Sequence, residues 1–127
     1  MPKLMPRAQF EELVIQALES LPPFFLHHID NVEVLVDAWP SRADLREAGL
    51  EPGETLLGLY YGIPLTERTS AYNLAPPDTI TLYQGPIEEA SGGNLATIRE
   101  QVRQTVIHEI AHYFGISDER LIELGAY

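Results

Sequence analysis

Cysteine is absent from this sequence of 127 residues. Its absence excludes disulfides, thiolate zinc sites and a cysteine nucleophile, and it suits a reducing cytoplasm, which is the location we expect. No apolar run approaches the ~20 residues of a membrane span. The initial segment MPKLMPRAQFEELV is broken by charges and prolines and so lacks the apolar core of a signal peptide. We therefore expect neither a membrane partner nor export.

Basic residues are also scarce, with 8 Lys and Arg against 19 Asp and Glu and a net charge of −11. A nucleic-acid surface needs clustered positive charge to neutralise phosphates, so the sequence argues against a nucleic-acid partner. The hydrophobic content of 45% is ordinary for a soluble globular protein, and the length fits one core. Since we find no repeat or linker, we expect a single domain over residues 1–127.

The most informative pattern is His108-Glu-Ile-Ala-His112, followed by Gly115 and Asp118. Side chains four residues apart lie on one face of a helix, so both imidazoles can reach one metal ion. Zinc prefers nitrogen ligands of this kind. Glu109 is placed to take a proton from an attacking water. Gly115 permits a sharp left-handed turn, which would bring Asp118 back as a third ligand.

The setting of this motif is almost wholly apolar from Thr105 to Ile116, as is typical of a buried helix turn. Buried polar groups need partners, and a metal ion would satisfy both His. The alternative is a chance motif on a surface helix, with both His solvated. The apolar setting and the spacing to Gly115 and Asp118 favour the metal site. Glu119 and Glu123 are alternative third ligands, but Asp118 has the better-known spacing.

Hydrophobic periodicity and turn residues predict the surrounding elements. An amphipathic helix is expected from Pro6 to Leu21, ended by Pro22-Pro23, and a long helix from its N-cap Asn94 to about Phe114. β-branched and aromatic runs predict three strands, the third stopped by Gly85-Pro86: Val32–Val36, Leu56–Tyr61 and Thr79–Tyr83. Three further segments are expected to form a helical turn, a structured loop and a final short helix: 43–50, 62–78 and 118–124.

With these elements in place, the sequence resembles a family of very short bacterial zincin-like metallopeptidases, the minimal zincins. The resemblance runs from about Phe10 to Tyr127. It is carried by three segments: His108 to Asp118 with the following Glu-Arg-Leu, Gly62-Ile-Pro-Leu-Thr-Glu-Arg68, and Ile80-Thr-Leu-Tyr83. It implies an α+β fold, in which a small twisted mixed sheet packs on a long metal-binding helix, with an N-terminal helix and a short C-terminal helix.

The same resemblance implies a zinc-dependent peptidase with Glu109 as general base and with three zinc ligands: His108, His112 and Asp118. It also implies a peptide or protein substrate held in extended form along an edge strand, for which Thr79–Tyr83 is the best candidate. The metzincins, by contrast, place His at the position of Asp118 and add a methionine-containing turn, whereas Met stands here only at positions 1 and 5. Two other functions therefore stay open: a zinc-containing peptide-binding module with little turnover, and a hydrolase of a non-peptide amide.

Several other residues receive structural interpretations. His27 and His28 lack metal-ligand spacing, and Trp39 is expected to pack at the end of the first strand. Glu67 and Arg68 are expected to pair with each other or to clamp their loop. Tyrosine hydroxyls can stabilise an oxyanion, although strand tyrosines more often serve packing; the candidates are Tyr60, Tyr61, Tyr72, Tyr83 and Tyr127.

Overall fold

The computed structural model describes residues 4–29, 32–51, 55–62 and 78–123, with only the backbone of Asp118. Within these ranges the chain forms six helices and three strands. The helices are α1 (Arg7–Glu19), α2 (Pro23–Ile29), α3 (Arg42–Glu47), α4 (Gln84–Ser91), α5 (Leu95–Tyr113) and α6 (Asp118–Glu123). The strands are β1 (Val32–Asp37), β2 (Gly58–Tyr61) and β3 (Asp78–Tyr83). None of the helices in these ranges is long and apolar enough to span a bilayer.

The three strands form one mixed sheet in the order β1-β3-β2. β3 pairs in parallel with β1, with Val34 opposite Ile80, and antiparallel with β2, with Tyr60 opposite Ile80. The expectation that Thr79–Tyr83 is an edge strand is therefore wrong, because both sides of β3 are already hydrogen-bonded. Ile80 and Leu82 are fully buried, as suits a central strand. β2 is an edge strand of the described sheet.

The hydrophobic core forms where α5 packs against α1, α4 and the strands β2 and β3. An apolar stripe runs along α5, and four of its residues are fully buried: Ile98, Val102, Val106 and Ile110. Its two end members, Leu95 and Tyr113, are 48% and 38% exposed, because the ends of the helix extend past the layers that cover its middle. The long helix is thus held rigidly along its centre, which positions the motif near its C-terminal end.

Two helices begin at or next to prolines that were predicted only to end the preceding helix or strand. α1 ends at Glu19, and Pro23 is the first residue of α2. A proline fits there because the first N–H groups of a helix have no intrahelical acceptor. Likewise β3 ends at Tyr83, but the chain continues directly into α4, with Pro86 in its first turn. The predicted stops were therefore correct for α1 and β3, while α2 and α4 were missed.

The N-terminal ends of α3 and α5 are fixed by side-chain caps. Asn94 accepts a hydrogen bond from the Thr97 N–H over 3.1 Å, as predicted for the start of the long helix. Ser41 and Asp44 form a reciprocal capping box, with bonds of 3.0 and 3.1 Å. This box starts α3 at Arg42, one residue before the expected turn.

Candidate metal centre

The two motif histidines lie side by side near the C-terminal end of α5. Their ring centroids are 6.2 Å apart and their planes differ by 15°, as expected for residues one helical turn apart. His108 is half-buried and His112 is exposed, although Ile110 and Ala111 between them are fully buried. The apolar turn is thus buried on one side only. Its other side carries the half-buried His108 and the exposed His112.

Glu109 lies beside the histidines and is tied to the neighbouring strand. The Tyr60 backbone N–H donates a hydrogen bond to Glu109 Oε1 over 3.1 Å. Burial raises the pKa of the Glu109 carboxyl above its usual range, while the Tyr60 N–H and the charge of His112 act in the opposite direction. A carboxylate with a raised pKa and a fixed orientation is suited to accept a proton near neutral pH.

The hydrogen bond between the Tyr60 N–H and Glu109 shows which side of β2 faces the motif. The Tyr83 N–H donates to the Leu57 carbonyl over 3.0 Å, which sets the pairing between the strands. In an antiparallel ladder the backbone groups of successive residues point alternately toward and away from the partner strand. The backbone N–H and C=O groups of Gly58 and Tyr60 therefore point away from β3. Glu109 lies on this outer side of β2.

Close packing holds β2 against α5. A Cβ on Gly58 would lie 2.7 Å from Thr105 Cγ2, so only glycine permits this approach without a shift. The Tyr60 ring stacks on Tyr113 with centroids 4.2 Å apart, and its hydroxyl donates to Asp78 Oδ2 over 2.7 Å. The Tyr60 hydroxyl therefore connects β2 to the first residue of β3.

Gly115 ends α5 with the left-handed turn that the sequence predicts. Its φ is +70°, and the Gly115 N–H donates to the His112 carbonyl over 3.2 Å. The Ile116 N–H donates to the Ala111 carbonyl over 2.8 Å. These two bonds form a Schellman motif, which reverses the chain direction immediately after the last helical turn.

Asp118 follows as the first residue of α6. Ser117 Oγ accepts a hydrogen bond from the Arg120 N–H over 3.1 Å, as an N-cap does, and Leu121 is fully buried. The Ser117 cap and the buried Leu121 side chain thus fix the position at which α6 starts. The Asp118 side chain lies outside the described part, so its role as third ligand stays a prediction.

The alternative third ligands do not complete a site among the described side chains. Glu123 Oε2 lies 2.7 Å from Arg120 Nη1, and Glu119 is exposed. No three metal-binding side chains cluster within the described ranges. The donors present nevertheless fit a zinc ion: two neighbouring imidazoles on one helix face and an aspartate that begins the next helix.

The other candidate residues either pack against neighbouring side chains or lie outside the described ranges. His28 packs between Phe24 and Phe114, each 4.6 Å away by ring centroids, as its assigned structural role requires. The Trp39 ring covers Gly85 so closely that a Cβ there would collide with it. Tyr83 is buried, and this burial raises the pKa of its hydroxyl, with a further contribution from Asp44. Four of the weighed residues fall outside the description: Glu67, Arg68, Tyr72 and Tyr127.

Comparison with known proteins identifies the family. A family model described as zincin-like metallopeptidase matches residues 29–126. The solved structure of a conserved hypothetical protein from Thermo thermophilus is similar, with 25% identity over 87% of this chain and 94% of that chain and a TM-score of 0.54. No curated protein matches the sequence significantly. Because the family model matches well over half of the chain, and the α+β architecture agrees with it, the chain belongs to the zincin-like metallopeptidase family.

Proposed function

We propose that this protein is a zinc-dependent peptidase, with His108, His112 and Asp118 as zinc ligands and Glu109 as general base. The observation that carries the proposal is the arrangement at the end of α5. Two nearly parallel imidazoles stand beside a half-buried carboxylate, on the outer side of an edge strand. A zinc ion in such a site supplies a Lewis acid that polarises a carbonyl and lowers the pKa of water.

Glu109 would move the proton. Its Oε1 is held by the Tyr60 N–H, and its Oε2 makes no hydrogen bond to any residue that the structure describes. Oε2 is therefore the oxygen that would accept a proton from the attacking water and later deliver it to the leaving amine. Burial raises the pKa of Glu109 and so brings this pKa closer to the pH at which the protein works. A pKa near the working pH favours both proton transfers.

The outer side of β2 would hold the substrate. An extended peptide can add to an exposed strand edge through backbone hydrogen bonds. Since β3 is central, we assign this role to β2, where a peptide would run along the outer side and leave the Tyr60 N–H bonded to Glu109. A peptide there would pass beside Glu109, because Tyr60 contacts that carboxylate directly.

The proposal is tested by metal analysis and a peptide screen on the purified protein. We expect about one zinc ion per chain, because one set of three ligands is assigned. Some unstructured peptides should be cleaved, chelation should stop the cleavage, and added zinc should restore it. Zinc at stoichiometric occupancy without cleavage across a broad library would contradict the peptidase assignment. Cleavage that resists verified zinc removal would contradict the role of the metal.

Gly115→Ala should weaken zinc binding through the position of α6. At φ +70° an alanine is strained, so we expect a loss of about 1 kcal/mol in the free energy of unfolding. Gly49→Ala is the matched control, because Gly49 has φ +75° and equally open surroundings. Both variants should lose similar stability by denaturant unfolding, but only Gly115→Ala should lower zinc affinity in a competition titration. Equal zinc affinity in the two variants would show that the Gly115 turn does not position a ligand.

A further inference from the structure

A pocket of about 210 Å³ adjoins the motif on the side away from His112. One wall is the segment 55–58, which leads into β2, and the other is the face of α5 that carries Gln101, Thr105, His108 and Glu109. Drug-sized ligands occupy pockets of roughly 300–1,000 Å³. This pocket is smaller, so its size suits one amino-acid side chain.

Gln101 is one of the polar residues that line this pocket. The side chain is half-buried, and its carboxamide makes no hydrogen bond to any residue in the described ranges. The Thr105 hydroxyl, by contrast, donates to the Gln101 backbone carbonyl over 2.7 Å, and its methyl group faces Gly58. Leu56 and Leu57 contribute apolar surface to the opposite wall, next to Thr55. An occupant would therefore meet the Gln101 amide within a lining that is part apolar and part polar.

The pocket lies where a peptide on β2 would direct a side chain. Successive side chains of an extended peptide point to opposite faces, so alternate ones would turn toward α5. Gly58 lines the pocket and is itself buried, packed closely against the Thr105 methyl group. Because Glu109 also lines the pocket, a peptide residue that passes beside this carboxylate would place its side chain between Gln101 and Glu109.

The charge of the pocket restricts the occupant. Glu109 is the acidic residue in the lining, and the chain as a whole carries −11. An acidic side chain would be repelled by Glu109, and a basic one would pair with this carboxylate and compete with its proton transfer. A neutral amide or hydroxyl can use both the donor and the acceptor of Gln101. An aliphatic side chain would displace water from that amide and leave it unpaired.

We propose that this pocket selects an uncharged hydrogen-bonding side chain, Asn, Gln, Ser or Thr, next to the scissile bond, and that Gln101 determines the preference. This assignment rests on the proposed peptidase function, because it places the substrate on β2 beside Glu109. Gln101 affects which substrate side chain binds and takes no part in the chemical step.

The test measures binding separately from cleavage. Zinc-free wild-type protein, which keeps the Glu109 carboxylate and lacks the metal needed for cleavage, is titrated with fluorescent alanine hexapeptides, each carrying Asn, Leu, Asp or Lys at one position, and binding is followed by anisotropy. At one position Asn should bind about tenfold more tightly than Leu, and Asp should bind most weakly. Adding Gln101→Leu should remove or reverse the Asn preference. Gln104→Leu is the matched control, because Gln104 bonds to Glu100 on the same helix outside the pocket lining.

The outcomes distinguish the two proposals. Binding without a side-chain preference, a preference unchanged by Gln101→Leu, or no binding at all would overturn the assignment of the pocket. Cleavage by the wild-type protein in any of these cases would leave the peptidase proposal intact. A Gln101-dependent Asn preference in a protein that cleaves none of these peptides would support the pocket and count against hydrolysis.

Discussion

Glu109→Gln should lower the rate of peptide cleavage by about a hundred- to ten-thousand-fold at unchanged zinc content, because general acid–base groups contribute about that factor. The amide oxygen of Gln can still accept the Tyr60 N–H bond that holds Glu109 Oε1. The neutral amide also avoids the cost of burying a charge, which raises the pKa of Glu109 in the wild type. The variant should therefore fold and bind zinc normally while lacking the base.

The measurement is kcat/KM for a cleaved peptide, normalised to zinc content. Glu100→Gln is the control, because Glu100 is an exposed carboxylate on the same helix that contacts Gln104 and Arg103. It should leave kcat/KM unchanged. If zinc-loaded Glu109→Gln cleaved at the wild-type rate, either a contaminating protease or a base other than Glu109 would be responsible.

His108→Ala and His112→Ala should each abolish stoichiometric zinc binding. Loss of a residue that only hydrogen-bonds to a metal ligand weakens metal affinity by about 10–100-fold. Loss of a ligand itself should weaken zinc affinity by more than this factor. His112 is exposed, so its removal should hardly change the stability of the zinc-free protein. His27→Ala is the control, because His27 is an exposed residue of α2 outside the motif. It should keep full zinc content by elemental analysis.

Zinc removal should also lower the melting temperature of the wild type. Ligand at a hundred times its Kd stabilises the native state by about 2.7 kcal/mol. For a chain of this size that corresponds to roughly 10 °C. His108→Ala and His112→Ala should melt near the chelated wild type and should not respond to added zinc. A double variant that retained zinc, or a wild type that melted unchanged after verified zinc removal, would contradict the assigned ligands.

The metal-binding helix could be predicted from the sequence because its signals are local. The Asn94 cap, the buried stripe and the Gly115 turn each depend on residues within a few positions of one another. The same holds for the start of α6, where Ser117 bonds within the next turn. Local hydrogen bonds and helical periodicity determine these features, so they appear in the pattern of residues.

The position of β2 could not be predicted in this way. The order β1-β3-β2 depends on which strands pair, and similar alternating runs occur in all three. The Tyr60 to Glu109 bond joins residues 49 positions apart, and nothing near either residue indicates the other. The pocket has the same origin, because it forms only where segment 55–58 lies opposite Gln101 on α5.

The hydrogen bond between Tyr60 and Glu109 has a consequence for self-association. Exposed strand edges are templates on which neighbouring molecules can extend a sheet and aggregate. β2 has only four residues, and one of its outward N–H groups is already bonded to the Glu109 carboxylate. A second molecule that docks its own strand along the whole of this edge would have to displace a charged acceptor, and four residues offer few bonds in return. A substrate peptide that leaves the Tyr60–Glu109 bond intact avoids this cost, so β2 is protected against sheet growth between molecules while keeping its assigned role.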